Sequence, residues 1–366
     1  MSFLSERLVQ QIKSEGPITF YQWMKAALYD PHEGYYCRSD RERWGREGDY
    51  RTSPERSELF AATFAHYFVK LYEELGSPST WTIVEVGAGA GHFAAELLKT
   101  LQHRFPKVFS VTRYVLDEAS TDSRTRAAER LSPFSAHIRF QSLEELEPLE
   151  YAVIFSNELL DAFPVHRVIF QDNQLHEFYV KADEKGGFSW LVGAPSTERL
   201  ADYFAQLGVQ LHEGRIAEIN LEVEGWLSLV SSKVIEGYVL TVDYGAEASD
   251  LYRSAERQNG TLRAFHKHRM IDDVLASPGE QDVTSTIDWT ALKHLGRKVG
   301  LESVEFQRLD RFLLGSGLLE ELELRLGEAA NDSERIKMST AVRSMVLPVE
   351  MAASFSVLVQ KKTARS

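Results

Sequence analysis

Trp81-Thr82-Ile83-Val84-Glu85-Val86-Gly87-Ala88-Gly89-Ala90-Gly91-His92-Phe93-Ala94-Ala95-Glu96-Leu97-Leu98 is the stretch that decides the fold. Trp81 to Val86 reads as a short apolar strand stopped by glycine. Three glycines at alternate positions follow, and then Phe93, Leu97, Leu98 and Leu101 recur on one helical face. Strand, glycine-rich turn and helix, in that order, open an α/β sheet, and the turn lets backbone amides approach a ligand that any Cβ would exclude. Working outward, Arg113–Leu116, His137–Phe140 and Tyr151–Phe155 supply three further strands separated by helical patterns. Such alternation implies a parallel sheet with helices on both faces. Strand patterns return at Tyr238–Val242, Ser303–Leu309 and Phe355–Gln360. The last follows a helical run closely, which predicts an antiparallel edge strand.

The flanking segments read differently. Leu4, Leu8 and Ile12, and then Phe20, Trp23, Met24, Ala27 and Leu28, have helical spacing, and Asp30-Pro31 stops the second helix because the residue before proline leaves the α region. Ser53-Pro54-Glu55 reads as an N-cap, a proline at the first helical position and an early acid. It opens a helix through Leu59, Phe60, Phe64, Tyr67, Phe68 and Leu71. After Pro164, Val165–Phe170, Leu175–Val180 and Phe188–Val192 are separated by Asp172-Asn173 and Gly186-Gly187 and predict antiparallel hairpins. Helical stretches follow at Thr197–Leu207 and about Glu222–Ile235. The expected organisation is a helical region at 1–78 that closes over the cofactor, half of the core at 79–164, a hairpin and helix insertion at 165–236 on the substrate or partner side, and the rest of the core at 237–366.

The 366 residues include 41 Lys and Arg against 54 Asp and Glu, a net charge of -13. Clustered cations are what phosphate contacts need, so this balance argues against nucleic acid or an anionic membrane as partner. One cysteine, Cys37, excludes an intrachain disulfide and a Cys-based zinc site. His266 and His268 read as loop histidines, since no carboxylate at ligand spacing accompanies them, and no metal is expected. No stretch approaches the roughly 18 apolar residues of a spanning helix. The first residues lack a basic leader, and a cytoplasmic enzyme is the expectation.

Two cofactors compete for the glycine turn. Dinucleotide sites want G-x-G-x-x-G, whereas here the third glycine comes one residue early and His92 follows. Glu85-x-Gly87-x-Gly89-x-Gly91 resembles instead the turn of class I S-adenosylmethionine (AdoMet) methyltransferases, where an acid suits a ligand bearing an ammonium and a sulfonium. In Tyr114-Val115-Leu116-Asp117-Glu118 an acid at the strand end can accept both ribose hydroxyls of either nucleoside. Glu118 is preferred to Asp117, which the strand should point elsewhere. Ser142 would lie beside the adenine by topology. The fourth strand runs into Asn157-Glu158-Leu159-Leu160-Asp161, and ligands sit outside the carboxyl ends of such strands. Asn157, Glu158 and Asp161 could therefore bind a cationic acceptor and take its proton; a rim acid and a turn cap are the structural alternatives.

Motifs spread along most of the chain carry a further resemblance. Gly16-Pro17-Ile18, Ala27-Leu28-Tyr29-Asp30-Pro31, Gly34-Tyr35-Tyr36, Gly48-Asp49-Tyr50-Arg51-Thr52-Ser53-Pro54-Glu55, Asn157–His166, Asp243-Tyr244-Gly245, Gly260–Ala264 and Asp282-Val283-Thr284 are similar to the blocks of the MidA-like family. These are class I AdoMet-dependent methyltransferases whose mitochondrial member, complex I assembly factor 7, is a protein arginine methyltransferase. The resemblance implies a seven-stranded Rossmann-like α/β core with a helical N-terminal region and an α+β insertion between the fourth and fifth strands. It implies AdoMet as cofactor, and a block with Asp49, Thr52 and Glu55 folded over it. Two departures stand out: Ala88 replaces the family's proline in the glycine turn, and Arg56 stands where an aliphatic residue is common.

The expected function is thus AdoMet-dependent methyl transfer to a protein arginine, linked through the family to respiratory complex assembly. Gly87, Gly89 and Gly91 would hold the methionine end with help from Glu85, and Glu118 the ribose. Glu158, Asp161 and Asn157 would serve the acceptor. A protein substrate is expected, and a homodimer is left open. The alternatives are a non-catalytic AdoMet-binding assembly factor and an NAD-dependent oxidoreductase.

Overall fold

The computed structural model describes residues 2–38, 58–184, 186–266, 269–347 and 354–364. Contacts divide the chain into two compact units. One consists of Arg51–Leu159, Leu227–Tyr244 and Gly296–Ser366, the other of Met1–Tyr50, Leu160–Trp226 and Gly245–Leu295.

Among the described residues the first unit is built on seven strands: β1 (Trp81–Val86), β2 (Thr112–Asp117), β3 (Ile138–Phe140), β4 (Leu149–Asn157), β5 (Val234–Ala246), β6 (Glu302–Arg308) and β7 (Phe355–Lys362). Their order across the sheet is β3-β2-β1-β4-β5-β7-β6. The first five of these are parallel neighbours, and β7 is antiparallel to both β5 and β6. This is the class I methyltransferase arrangement, and the order reverses between β1 and β4, where open α/β sheets bind ligands.

The last strand corrects the edge-strand expectation: β7 lies between two strands, and β6 forms the edge. Val357, Leu358 and Val359 are all fully buried, the signature of a strand covered on both faces. β6 instead exposes Glu302, Ser303 and Val304 and shifts register between Ser303 and Glu305, features that blunt an open edge.

Helices α1 (Glu58–Glu74) and α2 (His92–Arg104) contribute to an aromatic core on one face of the sheet. Phe93, the second residue of α2, stacks on Phe155 of β4 at 4.3 Å and 14°. Phe64 of α1 meets Phe155 at 5.2 Å and Phe312 at 5.1 Å. Such ring pairs add about 1 kcal/mol each to the burial itself. Because Phe93 follows the glycine turn and Phe155 precedes Asn157 and Glu158, this stack fixes the start of α2 against the end of β4.

The second unit corrects the expected boundaries, because the 165–236 segment does not stand as a module of its own. Ile18–Thr19 adds antiparallel to Tyr179 and Val180 of the insertion. Phe20 and Trp23, at the start of the helix Phe20–Tyr29, pack on Trp190 and Phe188. The sequence places apolar faces on both segments, but only the pairing shows that each covers the other. Thr19 and Gln22 close a capping box at that helix, which ends at Asp30 before Pro31. The hairpin His166–Gln171 and Gln174–Ala182 turns through Asp172 (φ 54°) and Asn173 (φ 59°), the left-handed pair of a two-residue turn matched to strand twist. A second small sheet joins Arg269–Ile271, Arg263–His266 and Asp282–Thr284. The expected capped helix start at Ser53-Pro54-Glu55 lies outside the described residues.

Candidate active site

β1 delivers the chain to a turn that only glycine forms without strain. Gly87, Gly89 and Gly91 have φ of +73°, +54° and +73°, the left-handed region that costs an L side chain about 1–2 kcal/mol. A Cβ on Gly87 would stand 3.0 Å from Leu159 Cδ1, and one on Gly91 would stand 3.0 Å from Ala127 Cβ. The glycines therefore also let Leu159 and the helix α3 (Thr121–Arg130) close on the turn.

The turn is held by the end of β2. Gly87 and Ala88 N–H donate to the Asp117 carbonyl at 2.8 and 3.2 Å. The Glu118 carboxylate accepts from Gly89 N–H and from Ser120 N–H, both at 2.7 Å. Ser120 then caps α3 through Ser123 N–H. From within α3, Arg130 Nε donates to the Ala90 carbonyl at 2.9 Å. His92 has its pKa pushed down to about 4, by burial first and then by Arg130, and is neutral in the ordinary pH range. Asp117 turns its carboxylate to Leu143 N–H at 2.9 Å, tying β2 to the loop that holds Ser142; burial raises its pKa. The Ser142 hydroxyl accepts from Glu145 N–H at 3.4 Å, closing that loop on itself.

Glu85 sits behind the turn, not in it. Its buried carboxylate accepts the Tyr114 hydroxyl at 2.7 Å. Desolvation lifts its pKa to about 8, against the Tyr114 hydrogen bond, which favours the ionised form; the Glu118 charge raises it further.

At the end of β4, Glu158 holds φ +51°, an uncommon conformation for a residue with a side chain. Its N–H donates to the Val242 carbonyl of β5 at 2.9 Å, and Asn157 Nδ2 donates to its Oε1 at 3.2 Å. With Leu159 against Gly87, Asn157 and Glu158 are brought to the glycine turn. Asp161 belongs to the other unit, in the short turn Leu160–Ala162; it is buried, and its carbonyl accepts Ser285 N–H at 2.9 Å. Asp49, Thr52 and Glu55 lie outside the described residues. Sequence reasoning did not reach Arg130 and Leu159, whose contacts join positions distant in the chain or differing in kind from any acid or glycine motif. Among the described residues no three His, Cys, Asp or Glu form a metal cluster, and His266 Nδ1 bonds the Glu280 carbonyl at 2.8 Å.

Residues 63–307 match the family model described as "Putative S-adenosyl-L-methionine-dependent methyltransferase". The chain belongs to this family of methyltransferases. A mitochondrial protein arginine methyltransferase NDUFAF7 homolog of Drosophila melanogaster is 26% identical over 97% of this chain and 84% of its own length. Its counterpart from Bos taurus is 24% identical over 96% and 81%. The crystal structure of a COG1565 superfamily member from Burkholderia thailandensis bound to S-adenosyl-homocysteine is similar with a TM-score of 0.88, 28% identity, and coverage of 99% of this chain and 92% of that one.

This protein is an AdoMet-dependent methyltransferase, and its own residues fit that cofactor. The turn offers amides of the kind that Gly89 already presents to a carboxylate, and Glu118 stands one strand over with both carboxylate oxygens held by backbone N–H groups. These comparisons lend nothing to the dinucleotide or non-catalytic alternatives. They overturn the cytoplasmic expectation, because the curated relatives are mitochondrial by name. Among the described residues no helix is long and apolar enough to cross a membrane.

Proposed function

We propose that this enzyme is a protein arginine N-methyltransferase in which Glu158, held by Asn157, is the acceptor-side base. The observation that carries this is the strained left-handed Glu158 at the end of β4, brought to the glycine turn through Leu159. Backbone strain persists where a site requires it. The relatives' printed names support arginine as the acceptor. AdoMet, when bound, supplies an electrophilic methyl group on a sulfonium. Gly87, Gly89 and Gly91 would bind its methionine end, with Glu85 behind them; Glu118 would hold the ribose, and Ser142 would lie beside the adenine. Because the donor is already cationic, the chain has little acid catalysis to provide. Positioning and proton removal dominate. Glu158 pairs with the guanidinium and accepts the proton that the acceptor nitrogen sheds as it gains a methyl group.

Incubating the purified enzyme with a cell extract and deuterated AdoMet, followed by peptide mapping, tests the acceptor. Labelled arginines are expected, and labels confined to other residues end the arginine reading. Glu158→Gln should keep AdoMet affinity within about twofold and lower turnover roughly 100-fold, the usual scale of a lost base. Equal loss of binding and turnover would remove Glu158 from that role.

A further inference from the structure

Two helices of the second unit leave a cleft between them. The helix Arg199–Leu207 buries Leu200 and Phe204 in an apolar cluster with Val168, Ala217 and Ile219. Arg199, Asp202, Tyr203 and Gln206 recur at i, i+3, i+4 and i+7 and so share another of its faces. In the helix Trp289–Lys298, Ala291, His294 and Leu295 share a face in the same way. These two faces, with Asn220, Leu221 and Glu224, line a cleft of about 170 Å³. Ala291, which has no side chain beyond Cβ, leaves the room for it.

Most polar groups around the cleft are spent. The Tyr203 hydroxyl donates to Asp288 Oδ2 at 2.9 Å. Asn220 Oδ1 accepts from Glu222 N–H at 3.1 Å and from Val223 N–H at 3.2 Å, and Asn220 Nδ2 donates to the Leu160 carbonyl at 3.4 Å. At the mouth Arg199 pairs with Glu224 at 2.7 Å. His294 differs: its Nε2 is buried and has no hydrogen-bond partner among the described residues. A buried nitrogen left alone is costly, so it asks for a partner that enters the cleft.

Size narrows what that partner is. One water needs about 10–15 Å³, an apolar cavity of about 150 Å³ takes a benzene ring, and pockets for drug-sized ligands run to about 300–1,000 Å³. At 170 Å³ the cleft matches a single ring. The Tyr203 ring, Leu207, Leu221, Ala291 and Leu295 supply apolar walls for one. Arg199, Asp202 and Glu224 set two acids against one cation, which disfavours a carboxylate or a phosphate. A hydroxyl both donates and accepts, so it satisfies Nε2 whichever ring nitrogen of His294 carries the proton.

We propose that this cleft is a binding site for a phenol, with the neutral ring between the two helices and its hydroxyl on His294 Nε2. The same chemistry comes as a free phenol or as the tyrosine side chain of a protein, which likewise joins an apolar body to a polar tip. The site gives the 165–236 insertion, for which the sequence predicts the substrate or partner side, a recognition element of its own. It stands whether or not arginine is the methyl acceptor.

Fluorine NMR titrations of the full-length enzyme with 4-fluorophenol and with fluorobenzene test the site, and AdoMet affinity from calorimetry checks that each variant is folded. 4-Fluorophenol should bind saturably and about fivefold more tightly than fluorobenzene, the scale of one ordinary hydrogen bond. His294→Leu, which keeps an apolar bulk and removes the nitrogen, should bring 4-fluorophenol down to the level of fluorobenzene and leave fluorobenzene affinity unchanged. Ala291→Leu, which fills the cleft, should abolish binding of both while AdoMet still binds. Displacement of bound 4-fluorophenol by N-acetyl-tyrosine amide assigns the cleft to a protein's tyrosine, and failure to displace it assigns the cleft to a free phenol. Absence of saturable 4-fluorophenol binding, the result when water alone fills the cleft, overturns the site. So does equal affinity for the two probes, or a preference for the phenol that survives His294→Leu.

Discussion

Glu85 shows how one side chain can be found correctly and still be misjudged in its chemistry. The sequence marks it as an acid two residues before a glycine turn, welcome beside a cationic cofactor. The structure encloses it against Tyr114, and desolvation holds its carboxyl at a pKa of about 8 where 4.5 is ordinary. Burial of this kind depends on which face of β1 the residue takes and on what packs there, which a local motif does not state. A proton is therefore retained by the folded protein that the unfolded chain gives up. Stability due to this group is whole below about pH 4.5 and is lost as pH rises towards about 8, at a limiting slope of about 1.4 kcal/mol per pH unit. Glu85→Gln, which keeps the shape and cannot ionise, should flatten that part of the stability curve in urea titrations between pH 5 and 8. An identical slope in the variant would show that Glu85 ionises normally. Tyr114→Phe should push the same carboxyl higher still, because the phenol's hydrogen bond opposes the desolvation.

At the scale of elements, the Arg325 guanidinium joins the helix α4 (Leu318–Glu328) to α1 and α2, beside His66 and Arg104, which also reach its acids. Arg325 Nε donates to Glu321 Oε1 at 2.7 Å, Nη2 pairs with Glu96 of α2, and Nη1 reaches Glu58 of α1 at 3.2 Å. Glu321 is only 1% exposed, and its pKa is lowered by His66 and then Arg325 despite its burial. Breaking a buried pair costs about 3–5 kcal/mol, and His66 and Arg104, which still reach Glu321, hold the loss of Arg325 to the low end of that range, whereas removing both partners costs much less. Arg325→Met should thus lower unfolding free energy by about 3 kcal/mol, and adding Glu321→Gln should restore part of it; a double variant as unstable as the single one would place the loss in packing. None of this network was legible, since its partners lie on three helices far apart in the sequence. What was legible had local causes: glycines that only a left-handed turn needs, Asp172-Asn173 between two strands, and Asp30 before Pro31. The place of β7 inside the sheet was readable in principle, because Val357, Leu358 and Val359 leave it no polar face. Its closeness to a preceding helix drew the reading towards the edge instead.

At the scale of the whole molecule, sequence order hides how the chain is shared between the two units. Each unit is assembled from three separate segments, and pairings such as Ile18 with Val180 span distances that no local pattern encodes. Charge, in contrast, is an additive property and can be read without a fold. A net charge of -13 sets a negative field around the enzyme that draws in cationic partners and repels polyanions. For a basic protein acceptor, this field should speed encounter and leave the methyl-transfer step untouched once the complex has formed. Raising the salt concentration shortens the Debye length from about 30 Å at 0.01 M to about 3 Å at 1 M, and screening acts first on these long-range forces. With an arginine-rich peptide, kcat/KM should then fall roughly tenfold or more over that range while kcat changes little. Steady-state assays at fixed AdoMet and increasing sodium chloride separate the two constants. A kcat/KM that holds constant or rises with salt would mean that the acceptor does not approach through this field, and a parallel fall in kcat would locate the effect in the bound complex.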